Sequence, residues 1–134
     1  TEKLTQAIES RCYDFILVNY ANPDMVGHTG SLKATIRACE AVDLALGEIL
    51  KAIRKVSGLM LLTSDHGNCE KMFDLDTGMP HTAHTLNKVP IALIGKASGV
   101  KLRNGDLSDV APTILDLLNI NKPDEMTGTS LLVK

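Results

Sequence analysis

The pair Asp65-His66 closes an apolar run, Leu59-Met60-Leu61-Leu62-Thr63, and sets a carboxylate beside an imidazole where a buried strand should end. Open α/β sheets hold ligands just outside the carboxyl ends of their strands. An adjacent Asp and His do not readily share one metal from one strand end, but they can serve two neighbouring metals. Matching groups recur elsewhere: Asp24 and His28 follow an earlier apolar run, and His81 and His84 lie in the loop after Asp65-His66. These loops hold all 4 histidines of the chain. Carboxylate and imidazole together suit Mn, Zn, Co or Fe(II) better than Ca or Mg. Two such metals roughly 4 Å apart would clamp an in-line displacement at phosphorus. A lone Asp-His pair is commonly just a turn, and a lone loop histidine is commonly solvated. Six such groups at three strand ends favour the metal reading. His81 and His84 are three apart, so either could face the site.

The elements that must position these groups are legible in outline. Residues 2–11 read as a short helix with Leu4, Ala7 and Ile8 on one face. Tyr13–Tyr20 is expected as a strand buried on both faces, because Phe15-Ile16-Leu17-Val18 is continuously apolar. Asn22-Pro23-Asp24 breaks it. Ser31 is placed to cap a helix reaching Val56, with Ile36, Cys39, Val42, Leu46, Ile49 and Ile53 inward and Ser57-Gly58 closing it. Leu59–Thr63 is the second strand, and the strand-helix-strand order predicts a right-handed parallel crossover. Residues 66–88 form a long polar loop, a length that usually signals function. Val89–Gly95 is a third strand, antiparallel to the second because no crossover helix separates them. It would start His84 beside Asp65 and His66. Ser108-Asp109 should cap a last helix with Pro112 in its first turn and Ile114, Leu115 and Leu118 inward. The tail 123–134 reads as loop plus a short apolar strand.

Composition narrows the function classes. A net charge of −2, 3% aromatic residues and no Trp give neither a basic surface for nucleic acid nor a stacking platform for single strands. No apolar run nears the roughly 20 residues of a membrane span. The 3 cysteines, Cys12, Cys39 and Cys69, fit neither a disulfide framework nor a zinc finger, so a reducing, cytoplasmic compartment is expected. Cys69 lies near the Asp-His pair, where a soft ligand or redox role competes with simple packing. Glu70, Asp74 and Asp76 read as a solvated rim. Asn22 and Asn68 read as turn caps that could instead donate to a phosphate. Gly27 and Gly30 read as permission for a tight loop; no Gly-Lys-Ser/Thr phosphate loop is present.

Three stretches carry a resemblance. Val18-Asn19-Tyr20-Ala21-Asn22-Pro23-Asp24-Met25-Val26-Gly27-His28-Thr29-Gly30, Thr63-Ser64-Asp65-His66-Gly67-Asn68 and Pro80-His81-Thr82-Ala83-His84-Thr85 resemble the cofactor-independent (2,3-bisphosphoglycerate-independent) phosphoglycerate mutase family. So do Leu107–Leu115 and Met126–Leu131, so the resemblance spans essentially the whole chain. It implies the alkaline phosphatase superfamily, a three-layer α/β/α sandwich around a mostly parallel sheet. Carried over by position, Asp24, His28 and His84 would hold one Mn²⁺, and Asp65 and His66 the other, with Zn, Co or Fe as alternatives. His81 would order the loop. The implied reaction interconverts 3-phosphoglycerate and 2-phosphoglycerate, in glycolysis and gluconeogenesis, through a phosphoserine.

The family's serine nucleophile, an Asp of the second metal site and the inserted substrate domain have no counterpart here. Residues 1–134 are therefore expected to be the C-terminal part of the phosphatase domain, inactive alone and inclined to self-associate. Ser31, Ser57, Ser64, Ser98, Ser108 and Ser130 are not promoted to nucleophile. Two rival readings stand beside this one. One is another phosphotransferase or hydrolase of the superfamily; the other is a non-catalytic metal-binding remnant.

Overall fold

The longest element, α3 (Leu32–Val56), shows how local sequence sets the frame. Ser31 Oγ accepts from the Ala34 N–H and so satisfies one of the orphan donors of the first turn. At the far end Ser57 turns left-handed at φ 56°, and the Gly58 N–H bonds the Ile53 carbonyl. Arg54 and Lys55 in the last turn complement the helix dipole. A computed structural model describes residues 1–95 and 100–133, so Ser98 and Lys134 lie outside the described residues.

The described residues gather into two compact units, residues 1–58 with 66–89 and residues 59–65 with 90–134. In the first, α1 (Glu2–Ser10) and α2 (Asn22–Gly27) both pack on α3. Ile8 on α1 and Thr35, Ala38, Ile49 and Ala52 on α3 are buried, and Lys55 reaches Glu9 at 2.5 Å. The inward face of α3 is therefore rotated from the expected one. Ile49 is shared, but Ile36 and Cys39 are exposed. Small residues let the neighbouring helices approach.

Two further expectations are corrected in this unit. Tyr13–Tyr20 forms no strand, and Phe15, Leu17 and Val18 are 51%, 83% and 49% exposed. A strand exists only through its ladder, and no described residues pair with this segment. Asn22-Pro23-Asp24 does not merely break the chain but opens α2. Proline is tolerated at the first helical positions, where its missing N–H costs nothing.

In the second unit β1 (Leu59–Thr63) pairs antiparallel with β2 (Ile91–Gly95), as expected, with Leu61 opposite Leu93. β3 (Lys101–Leu102) pairs antiparallel with β4 (Leu132–Val133), the short apolar strand of the tail. Every described pairing is antiparallel, so the expected parallel crossover is not among them. Before α4 (Val110–Leu117), a capping box joins Asp106 to Asp109 across a 3₁₀ turn, Leu107–Asp109. Pro112 sits in the first turn as expected, but Pro112 and Thr113 are the buried residues, and Leu118 is exposed. Thr113 is fully enclosed: its hydroxyl donates to the Asp109 carbonyl at 2.7 Å and accepts from the Leu131 N–H at 2.9 Å.

Candidate metal centre

Asp24 sits in the first turn of α2, and His28 caps that helix one turn later, so both side chains leave the same face. The loop 66–89 returns over them. Its two ends are joined by a bridge between Gly67 and Thr85, with the Thr85 N–H on the Gly67 carbonyl at 2.8 Å. That bridge places His66 and His84 side by side, their rings stacked at 3.6 Å.

Three imidazoles thereby converge on one oxygen. Asp24 Oδ1 lies 2.9 Å from His84 Nε2, 3.2 Å from His28 Nε2 and 3.7 Å from His66 Nε2. His28 Nε2 and His84 Nε2 are 3.0 Å apart. The ligand atoms of Asp24, His66 and His84 all lie within 4.8 Å of one another. Asp65, the remaining candidate, follows β1 at the end of the other unit, immediately before His66 in the chain.

The tautomer of His28 is decided by its second nitrogen. Nδ1 lies 2.6 Å from the Thr82 carbonyl, which can only accept. The proton of neutral His28 therefore sits on Nδ1, leaving the Nε2 lone pair facing His84 and Asp24. A carbonyl behind the ring is the usual arrangement for an imidazole that ligates a metal. Burial opposes ionisation of Asp24. The His84 hydrogen bond and the fields of His28, His84 and His66 outweigh it and hold the carboxyl below its ordinary value. An ionised carboxylate among imidazole nitrogens, one of which can exchange its hydrogen bond to Asp24 for a cation, is a donor set that fits a divalent cation of the Mn–Zn series.

Asn68 and Glu70 hold this arrangement from behind, and sequence reasoning assigned both elsewhere. Asn68 is 7% exposed, and its Nδ2 donates to Asp24 Oδ1 at 3.1 Å, so it orients the carboxylate rather than capping a turn. Glu70 is exposed, as expected of a rim residue, but its carboxylate is tied into the loop. Its Oε1 accepts from the Thr85 hydroxyl and from Asn87 Nδ2, and its Oε2 accepts from the Asn68 N–H at 2.7 Å. The Thr85 hydrogen bond leads these in pulling the Glu70 carboxyl down to about 2, against the cost of burial. The spacing Asn68, Glu70, Thr85, Asn87 carried no periodic signal that could have revealed the contacts.

The other candidates divide cleanly. His81 is not in the cluster: its backbone N–H bonds the Met72 carbonyl, and its Nδ1 is buried without a hydrogen-bond partner among the described residues. The Cys69 thiol donates to the Pro23 carbonyl at 3.0 Å, and burial, followed by the neighbouring Cys39, pushes it up to about 11. The thiol is engaged in packing and in its hydrogen bond to the Pro23 carbonyl. Asp74 caps its own turn, taking the N–H groups of Asp76 and Thr77 at 3.0 Å each. Gly30 does adopt φ +70°, and Gly27 does more than permit a turn: a Cβ there would overlap Asn68 Oδ1.

Known proteins align with this chain over nearly its full length. The family model of the metalloenzyme superfamily matches residues 1–122. The 2,3-bisphosphoglycerate-independent phosphoglycerate mutase of Paracoccus denitrificans is 62% identical over 130 residues, 97% of this chain and 25% of that protein. The enzyme of the same name from Ruegeria pomeroyi is 59% identical over 132 residues, 98% of this chain and 26% of that protein. Among solved structures, crystal structures of Leishmania mexicana phosphoglycerate mutase at low cobalt concentration match with a TM-score of 0.86 at 35% identity, over 98% of this chain and 27% of that one. The chain thus spans about a quarter of the length of the relatives it matches. No described helix is long and apolar enough to cross a membrane. On the match over residues 1–122, the chain belongs to the metalloenzyme superfamily.

Proposed function

We propose that this chain supplies the histidine-rich metal-binding part of a 2,3-bisphosphoglycerate-independent phosphoglycerate mutase. The observation that carries the reading is the convergence of three imidazole Nε2 atoms on Asp24 Oδ1, with the Thr82 carbonyl fixing the His28 tautomer. Asp24, His28 and His84 would hold one divalent cation. His66, stacked on His84, and Asp65, its neighbour in sequence, would serve a second. Bound cations of this kind neutralise charge that develops on phosphoryl oxygens.

This chain's own residues bind and orient. Asp24 contributes the negative charge, His28 and His84 offer nitrogen lone pairs, and Asn68 fixes the carboxylate plane. The whole protein would interconvert 3-phosphoglycerate and 2-phosphoglycerate, with the serine that carries the phosphoryl group outside these residues. Mn²⁺ is the proposed metal, the cytoplasm the proposed compartment, and a mostly parallel α/β/α sandwich the proposed setting. The exposed Phe15, Leu17 and Val18 make self-association the expected behaviour of the isolated chain.

Calorimetric titration of Mn²⁺ into the 134-residue chain tests the reading. Saturable binding that disappears in His84→Ala is expected. Absence of binding in the unsubstituted chain, or equal binding by His84→Ala, would overturn it. Metal-dependent mutase turnover by the chain alone would refute the placement of the nucleophile outside it.

A further inference from the structure

Glu70 makes hydrogen bonds to both strands of the loop that carries His66 and His84. Oε2 takes the Asn68 N–H at 2.7 Å, two residues after His66. Oε1 takes Asn87 Nδ2 at 2.9 Å and the hydroxyl of Thr85, the residue after His84. Through Asn68 the same carboxylate reaches Asp24, since Asn68 Nδ2 donates to Asp24 Oδ1. One side chain is thus linked, by at most one intermediate residue, to the segments that bear Asp24, His66 and His84. All its partners are donors, which is the arrangement an ionised carboxylate satisfies and an alkyl group does not.

Close packing keeps this carboxylate in place. Gly67 lies so near that a Cβ there would overlap Thr85 Oγ1 and Glu70 Oε1. The Gly67–Thr85 bridge fixes the backbone separation, and Glu70 fixes the side-chain layer above it. The bridge joins backbone to backbone and leaves the Asn68 N–H and the Thr85 hydroxyl to find other acceptors. The Glu70 carboxylate accepts from both at once and so ties the two sides of the loop together.

We infer that Glu70 is a positioning residue that sets the spacing of Asp24 and His84, ligands of one cation, and of His66, ligand of the second, without touching either cation. The inference rests on the metal-site reading above. Its consequence is a coupling: Thr85 should matter to metal binding through Glu70, and not independently of it.

Mn²⁺ affinity of the full chain, with the visible spectrum of the Co²⁺-loaded chain, tests this in Glu70→Ala, Thr85→Val and the double variant. Partners behind metal ligands are worth about 10- to 100-fold in affinity, and Glu70→Ala is expected to lose that much. Thr85→Val should lose less, and the double variant no more than Glu70→Ala. The Co²⁺ bands should shift in both single variants, which a merely structural defect in a folded chain would not produce. If Glu70→Ala does not fold, Thr85→Val, which is isosteric and removes only the hydroxyl's hydrogen bonds to Glu70 and to the Asn87 N–H, decides by its affinity and spectrum alone. Unchanged affinity and spectrum in a folded Glu70→Ala or in Thr85→Val, or strictly additive losses, would overturn the inference and leave the metal reading standing. A chain that binds neither Mn²⁺ nor Co²⁺ before any substitution would overturn the metal reading, and this inference with it.

Discussion

Asp24 and Asp109 are both carboxylates held below their ordinary pKa, and they sit in different units of the chain. Their partners differ in kind. Asp109 Oδ1 accepts the Thr129 N–H at 2.7 Å and Oδ2 the Asp106 N–H at 3.1 Å, with Arg103 Nη2 at 3.6 Å. Those two backbone donors lower it first, against burial, with Arg103 adding its charge. Asp24 is instead surrounded by imidazoles, which oppose the cost of its burial. A backbone N–H has no second use, so Asp109 is a fastener: it ties the tail at Thr129 to the start of α4. An imidazole can exchange a carboxylate hydrogen bond for a cation, so the groups around Asp24 keep a second state open. Two acids with similar electrostatics are separated by what their donors can do next.

Substituting each acid by its amide is the sharpest way to break this comparison. Asp24→Asn is expected to weaken Mn²⁺ binding by more than the roughly 10- to 100-fold of a supporting residue, with a smaller fall in the thermal midpoint of the metal-free chain than Asp109→Asn causes. Asp109→Asn should reverse the balance. Both Asp109 oxygens accept backbone N–H groups, so its new NH₂ faces a donor whichever way the amide turns. Its thermal midpoint should fall, with the residual Mn²⁺ affinity intact. Equal profiles for the two variants, read by calorimetry and thermal denaturation, would dissolve the distinction.

Gly27→Ala probes the metal side more gently. The backbone of Gly27 is helical and tolerates alanine, so the obstacle is only the closeness of Asn68 Oδ1 and of Cys69 Sγ at 3.2 Å. Overpacking of this sort costs about 1–3 kcal/mol. Because the atom displaced belongs to the residue that holds Asp24, the loss should appear in Mn²⁺ affinity as well as in stability. A stability loss with unchanged affinity would mean that Asn68 can move without disturbing the carboxylate.

What was legible in the sequence follows the range of the interactions. α3 was readable because its cap, its period and its closing turn are all local, from Ser31 to Gly58. β1 and β2 were readable as antiparallel neighbours because no helix intervenes to carry a crossover. Asp24, His28, His66 and His84 could be suspected from residue type, since carboxylates and histidines gathered in loops have few structural uses. The brace could not be suspected. Glu70 meets Thr85 and Asn87 across 15 and 17 residues of loop, and nothing in residue type distinguishes it from a solvated acid. The segment 13–20 misled for a related reason: its apolar run reports a preference for burial, whereas strand structure depends on a partner that the run does not encode. Pro23 misled because proline breaks a helix from inside but starts one readily.

The smallest expected effect separates the brace from the ligands by pH. Glu70 is drawn from the ordinary 4.5 to about 2, led by the Thr85 hydrogen bond, so the folded chain binds its proton less readily than the unfolded one. A depressed folded-state pKa contributes stability that is fully present above the unfolded value and disappears as pH falls through the folded one. For Glu70 that window runs from about 4.5 down to about 2. The side chain is exposed, so solvent screening keeps the contribution small. Asp24, Asp74 and Asp109 are also depressed and weaken the fold in the same direction, so the unsubstituted chain alone does not isolate Glu70. The difference between it and Glu70→Gln does. In metal-free buffer, midpoints of urea denaturation should converge as pH falls through this window, since the glutamine has no proton to gain. Curves that stay parallel throughout would mean that the Glu70 hydrogen bonds persist on protonation, and that the brace does not depend on its charge.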